Sequence, residues 1–231
     1  MSNANVEQVK KFVFTSKNRK ACNETGDQLE IIIPELLQAG YSFYTWPSAP
    51  ILAWFLWERR NELKLKNVLE IGSGTALPGI LAAKCGARVT LTDSSTLPKS
   101  LAHLHHCCVL NGLTPDIDIK VEGLTWGLFL NSNILNLGQI DIILGSDCFY
   151  EPTVFEDILV TVSFILSNNI HSKFFCTYQE RSSDWSIEAL LKKWDLKCSV
   201  INIHSVGAES GISIQELMGD HSIHLLEITH I

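Results

Sequence analysis

The sequence contains no Cys-x-x-Cys pair, no dense run of lysine and arginine, and no apolar run long enough to span a bilayer. The first absence removes the usual zinc-knuckle and dithiol readings. The second, with a net charge of −7, argues against a nonspecific nucleic-acid binder. The third excludes a membrane-spanning helix, because the run from Ala49 to Trp57 is far too short. Met1 is followed by polar residues where a secretory signal would have an apolar core, so no leader is expected. No internal repeat or low-complexity segment is evident. The seven cysteines are odd in number, scattered and mostly within apolar runs. Reduced, buried thiols in a cytoplasmic or nuclear protein are the expectation.

The 231 residues are 46% hydrophobic and 19% charged, enough for one large domain with a sizeable core. The chain is organised around Asn67-Val-Leu-Glu-Ile-Gly-Ser-Gly-Thr-Ala-Leu-Pro-Gly79. Val68 to Ile71 reads as a buried strand that runs into a glycine turn and then a helix. Gly72 and Gly74 let the backbone turn sharply and approach a ligand closely. Pro78 suits the first turn of the helix, and Gly86 its end. Glu70 is a charge amid apolar residues and implies a partner. A dinucleotide loop needs a glycine at its sixth position, where this chain has Leu77.

Strands and helices alternate along most of the chain. Strands are expected at 28–33, 41–46, 89–93, 117–121, 140–147, 173–178, 196–203 and 221–229, the first two forming an N-terminal hairpin. Residues 1–26 hold only Phe12, Val13 and Phe14 as an apolar patch, compatible with an edge strand or with no regular structure. Helices are expected over 47–60, 77–85, 96–111, 152–166 and 185–194, the last with Ser183 as its cap. The alternation predicts an α/β fold, a doubly wound and mostly parallel seven-strand sheet with one antiparallel strand. The expected division is an N-terminal extension over 1–45 and a catalytic domain over 46–231. The polar stretch 207–220 is a candidate to reach the substrate face.

Ligands of such sheets sit beyond the carboxyl ends of the strands. Asp93 ends the second strand of the βαβ unit and can accept both hydroxyls of a ribose. Asp147, Tyr150 and Glu151 follow the next buried strand. Trp46 precedes a helix beside the glycine loop and reads either as core or as a wall of the site. Trp126 is placed to lie along an adenine ring. His103, His105, His106, Cys107 and Cys108 share one helix, but only His103 and Cys107 have ligand spacing, so no metal site is expected.

Four stretches together, Tyr44-Thr-Trp-Pro47, Leu69-Glu-Ile-Gly-Ser-Gly-Thr-Ala-Leu-Pro-Gly79, Leu124-Thr-Trp-Gly127 and Ser146-Asp-Cys-Phe-Tyr150, resemble family 16 of the seven-strand protein methyltransferases. The resemblance implies S-adenosylmethionine (SAM) as methyl donor, held by Trp46, Glu70, Gly72, Ser73, Gly74, Asp93, Trp126 and Ser146. It places Asp147 and Tyr150 beside the target side chain. Most members modify lysine of non-histone proteins. The stretches Thr177-Tyr-Gln, Asp184-Trp-Ser and Leu190-Leu-Lys-Lys-Trp-Asp195 are similar to a branch that modifies arginine of histones. Histone is therefore the partner expected first. Chaperone partners are also expected from the resemblance, and neither nucleic acid nor membrane is. For an arginine target, Asp147 and Glu151 form a candidate carboxylate pair, Glu151 being equally readable as a helix N-terminal charge. The alternatives are a lysine methyltransferase and a non-catalytic SAM-binding scaffold. The family more often carries Asp where Thr125 stands and Ala where Gly145 stands.

Overall fold

The computed structural model describes residues 7–16, 28–36, 39–128 and 137–231. Two short antiparallel strands come first, β1 (Glu7–Thr15) and β2 (Gln28–Leu36), and they form a separate two-stranded sheet. The expected hairpin partner, 41–46, is instead a 3-10 turn at Tyr41–Phe43 followed by extended chain. Burial alternates along Lys10 to Thr15, with Phe12 and Phe14 turned inward and Lys11 and Val13 outward, whereas the chain turns at Gly40, whose φ is +127°, just before 41–46. Phe14 anchors the strand by packing, with its ring tilted, against Trp54 and Trp57. Residues 1–6 and 17–27 of the N-terminal segment lie outside the described residues.

Helix α1 (Ser48–Glu58) is apolar on all sides, and Ile51 to Trp57 are buried without exception. A helix with no polar face must be enclosed, and α1 is covered by the hairpin's Phe14, the main sheet and neighbouring helices. A short helix α2 (Arg60–Leu63) leads to β3 (Asn67–Glu70). Next come α3 (Leu77–Lys84), β4 (Arg88–Asp93), α4 (Pro98–Leu110), β5 (Lys120–Gly123) and β6 (Ile142–Ser146). The chain finishes with α5 (Phe155–Asn168), β7 (Lys173–Gln179), α6 (Glu188–Lys193), β8 (Leu196–Ile201), α7 (Ile214–Met218) and β9 (Ile223–His230).

The main sheet has seven strands in the order β5-β4-β3-β6-β7-β9-β8. Pairing is parallel from β5 to β7, and β9 inserts antiparallel between β7 and β8. This is the expected doubly wound sheet with one reversed strand. Helical crossovers cover both faces, which explains why β3 and β6 are apolar on both sides. Chain order reverses between β3 and β6, so a crevice opens beyond their carboxyl ends. Parallel register sets Glu70 beside Leu91 and Leu144, bringing the exits of β3, β4 and β6 to one edge.

Some boundaries move. The strand expected at 117–121 begins only at Lys120, because Ile117 lies exposed in a turn closed by the Thr114 and Asp118 hydrogen bonds. Ser183 does not cap the helix that follows it; α6 starts five residues later, with Ile187 at its cap position. The polar stretch 207–220 packs α7 against α1 through buried Ile214 and Met218, and it does not border the crevice.

Candidate active site

The crevice at the β3/β6 switch point is a cavity of about 310 Å³. Its floor is the glycine loop. Gly72 and Gly74 have φ of +58° and +52°, which a side chain adopts only with strain. At Gly72 a Cβ would sit 2.8 Å from Trp126 Cζ2, so the indole lies directly on the loop backbone. Ser73 pins the loop to the sheet: its hydroxyl donates to the Glu70 carbonyl, at 3.2 Å, and accepts the Thr92 amide, at 3.1 Å.

Glu70 is fully buried behind this loop and does not border the cavity. Its Oε2 accepts the Gly79 amide at 3.1 Å, at the amino end of α3. Burial raises its pKa to about 8. This corrects the expectation of cofactor contact, because the positive end of the α3 dipole is already occupied by the chain's own carboxyl. Gly79 itself is required there, since a Cβ would collide with Leu91 and with Glu70 Oε2.

Asp93 does reach the cavity. Oδ2 accepts the Gly74 amide at 3.1 Å and Oδ1 the Ser94 amide at 2.7 Å. Each oxygen retains a lone pair for a hydroxyl. Burial holds the carboxyl above its ordinary pKa, although the two amides oppose that shift. Two residues on, Ser95 shares a hydrogen bond of 2.6 Å with Thr125.

The exit of β6 contributes Ser146, Asp147, Cys148, Tyr150 and Glu151 to the wall. Gly145 leaves space for Phe174, whose ring lies 2.8 Å from where a Cβ would be. Asp147 is buried and adopts φ of +53°, a left-handed conformation that Asp tolerates better than most residues. Its Oδ2 accepts from Arg181 Nη2 at 2.6 Å, and its Oδ1 from Arg181 Nη1 at 3.0 Å and the Gln179 amide at 3.1 Å. The Cys148 thiol donates to the Ile71 carbonyl, and burial pushes its pKa up, so it is no nucleophile. Tyr150 is likewise raised by burial, with Glu151 exposed on the rim next to it.

The opposite wall is carried by 41–46. Trp46 borders the cavity, its indole N–H donating to the Tyr41 carbonyl at 3.2 Å, with Tyr44 edge-on to its ring. Thr45 ties this segment to the hairpin and the loop. Its amide donates to the buried Glu35 Oε1, and its hydroxyl meets that of Thr75 at 3.1 Å. Of the expected cofactor set, the fold thus assembles Trp46, Gly72, Ser73, Gly74, Asp93, Trp126 and Ser146 around one cavity, leaving Glu70 outside it.

Tyr41, Tyr44 and Arg181 border the cavity and were not singled out from sequence. Arg181 follows β7 and carries only a weak signal, a base just past the carboxyl end of a parallel strand. His103 and Cys107 are buried in the core, and among the described residues no cluster suited to a metal ion occurs. The six described cysteines are all free.

A SAM molecule fits these residues: a side-chain-free loop admits close approach, Asp93 offers two acceptors, and Trp126 provides an aromatic face. The lysine methyltransferase family model matches residues 25–191. A histone-arginine methyltransferase, METTL23, of Xenopus laevis is 43% identical over 99% of this chain and 96% of its own. The human protein of the same name is 48% identical over 80% of this chain and 96% of its own. A solved SAM-dependent methyltransferase from Agrobacterium tumefaciens shares the fold, with a TM-score of 0.59 at 16% identity over 87% of this chain and 67% of that one. With the sheet order, the glycine loop and the family match all in agreement, the chain belongs to the lysine methyltransferase family and is a SAM-dependent protein methyltransferase.

Proposed function

We propose that this enzyme methylates arginine side chains of histones. One observation carries the reading: Asp147, at the cavity wall, already grips a guanidinium through two parallel hydrogen bonds. That fork matches an arginine and has no counterpart in an ammonium. The names of the relatives support the same target. A nuclear and cytoplasmic location and chaperone partners belong to this proposal.

When bound, SAM supplies a methyl group activated by a positive sulfur. Gly72, Gly74, Asp93, Trp46, Trp126 and Ser146 would hold it. The remaining task of the chain is alignment of the acceptor in a water-poor pocket. Asp147 orients the guanidinium and draws its charge toward one side. Tyr150 and Glu151 line the same cavity, and Glu151, exposed on the rim, can pass the proton lost on methylation to solvent.

Lysine is the second reading, favoured by the name of the family model. Incubation with SAM and core histones, followed by mass spectrometry, separates the two. Methyl-arginine that disappears in Asp147→Ala, with SAM binding retained, is the expected result. Methyl-lysine would replace the proposal by the second reading, and bound SAM without any product would favour a scaffold.

A further inference from the structure

Asp147 is held by the chain's own arginine in this conformation. Both carboxylate oxygens face Arg181, and Oδ1 also accepts the Gln179 amide. The Arg181 side chain is anchored further by its Nη1, which donates to the Gln179 carbonyl at 3.2 Å. Its guanidinium lies 5.8 Å from the centre of the Trp46 ring, within cation–π range. A carboxylate fork, a backbone carbonyl and an indole together make a complete recognition set for a guanidinium. Here the chain's own arginine fills it.

We propose that Asp147 and the Gln179 carbonyl form the acceptor-guanidinium subsite, with Trp46 standing between it and the cofactor pocket, and that Arg181 is an internal placeholder which a target arginine displaces. The inference rests on the arginine reading of the function and deepens it. Arg181 is the more accessible partner of the pair. It belongs to the loop 180–187 between β7 and α6, and its side chain is about a quarter exposed, against 4% for Asp147. It also borders a second cavity, of about 710 Å³. Its charged lining is mixed, Glu180 and Glu188 standing with Lys192 and Lys197. The placeholder keeps a buried carboxylate paired while no substrate is present; unpaired, that charge would be costly. It also imposes selectivity, since a competing ligand must match a two-pronged guanidinium rather than a single ammonium.

The test uses the full chain saturated with S-adenosylhomocysteine, titrated with capped Gly-Arg-Gly and Gly-Lys-Gly peptides and followed by NMR. Arg181→Ala vacates the subsite, and Arg181→Lys keeps a charge there without the fork. For a placeholder in position about nine-tenths of the time, Arg181→Ala binds Gly-Arg-Gly about tenfold more tightly than the wild type. Arg181→Lys falls between them, and Gly-Lys-Gly gains little. The gain vanishes when Asp147→Ala is added. In histone methylation, Arg181→Lys lowers KM. Equal or weaker arginine-peptide binding in both variants overturns the proposal, as does a collapse of kcat in Arg181→Lys, which would make Arg181 a support for Asp147. Failure of the wild type to bind S-adenosylhomocysteine, or methyl-lysine as its product, would instead defeat the functional reading beneath it.

Discussion

Glu35 and Thr45 join the N-terminal hairpin to the cavity wall: the Thr45 amide donates to Glu35 Oε1 at 2.9 Å. Glu35 is fully buried, and Lys10 Nζ from the partner strand lies 3.0 Å from the same oxygen. Thr45 in turn contacts Thr75, beyond the glycine turn, and precedes Trp46. The hairpin is thus mechanically part of the site, although it lies outside the seven-strand sheet.

Glu35→Ala strands the Thr45 amide and the Lys10 charge. Losing a buried hydrogen-bond partner costs about 1–3 kcal/mol, so urea unfolding should shift accordingly. SAM affinity should fall with it, because Trp46 loses its support. Glu35→Gln retains an acceptor for Thr45 and should recover most of the affinity. Equal SAM binding in wild type and Glu35→Ala would disconnect the hairpin from the site.

Asp93→Ala should weaken SAM binding by more than about tenfold, through loss of two acceptors for the ribose hydroxyls. The Gly74 and Ser94 amides also lose their acceptor, so the loop loosens. Calorimetric titration of the folded variant checks this, and unchanged affinity would remove Asp93 from the cofactor site.

Gly72→Ala tests the contact between the loop and Trp126. At φ of +58° an alanine is strained by about 1–2 kcal/mol, and its Cβ pushes on the indole. Quenching of tryptophan fluorescence by bound cofactor should weaken and KM for SAM should rise. A variant with wild-type KM would mean that Trp126 moves aside without loss.

Glu70 gives stability a pH dependence. Burial raises its pKa from 4.5 to about 8, so the folded state holds a proton that the unfolded state releases. Its contribution is fully present below 4.5, declines as pH rises and is lost above 8. The total change is on the order of a few kcal/mol. Glu70→Gln, which cannot ionise yet still accepts the Gly79 amide, should flatten the stability profile between pH 5 and 8 (approximate bounds of that window). An unchanged slope in chemical unfolding would place the titration elsewhere.

Much of the architecture was legible because its causes are local. Apolar runs as short as Val68 to Ile71, punctuated by Gly72, Gly74 and Pro78, are enough to specify a strand, a turn and a helix start. The alternation of such units leaves few topologies, and the reversed β9 followed from two late strands without a helical signal between them. Boundaries failed where the apolar pattern was ambiguous: Ile117 could begin a strand by composition, yet it is exposed in a turn. The hairpin was misassigned because Phe14 finds its role only against Trp54 and Trp57, about forty residues away.

The site divides along the same line. Backbone demands wrote themselves into residue type, so the glycine loop, the acid ending β4 and the polar exit of β6 were identifiable one stretch at a time. The directions of the charges were not. Glu70 and Asp93 are both acids at strand ends, yet Glu70 turns inward to the Gly79 amide while Asp93 faces the cavity. That difference depends on helix α3 packing over β3. Arg181 and Asp147 stand 34 positions apart and meet only because β6 and β7 are adjacent parallel strands with their exits at the same edge. Chain chemistry settles what each residue can do; the sheet, by setting distances between segments remote in sequence, settles which partner it does it with.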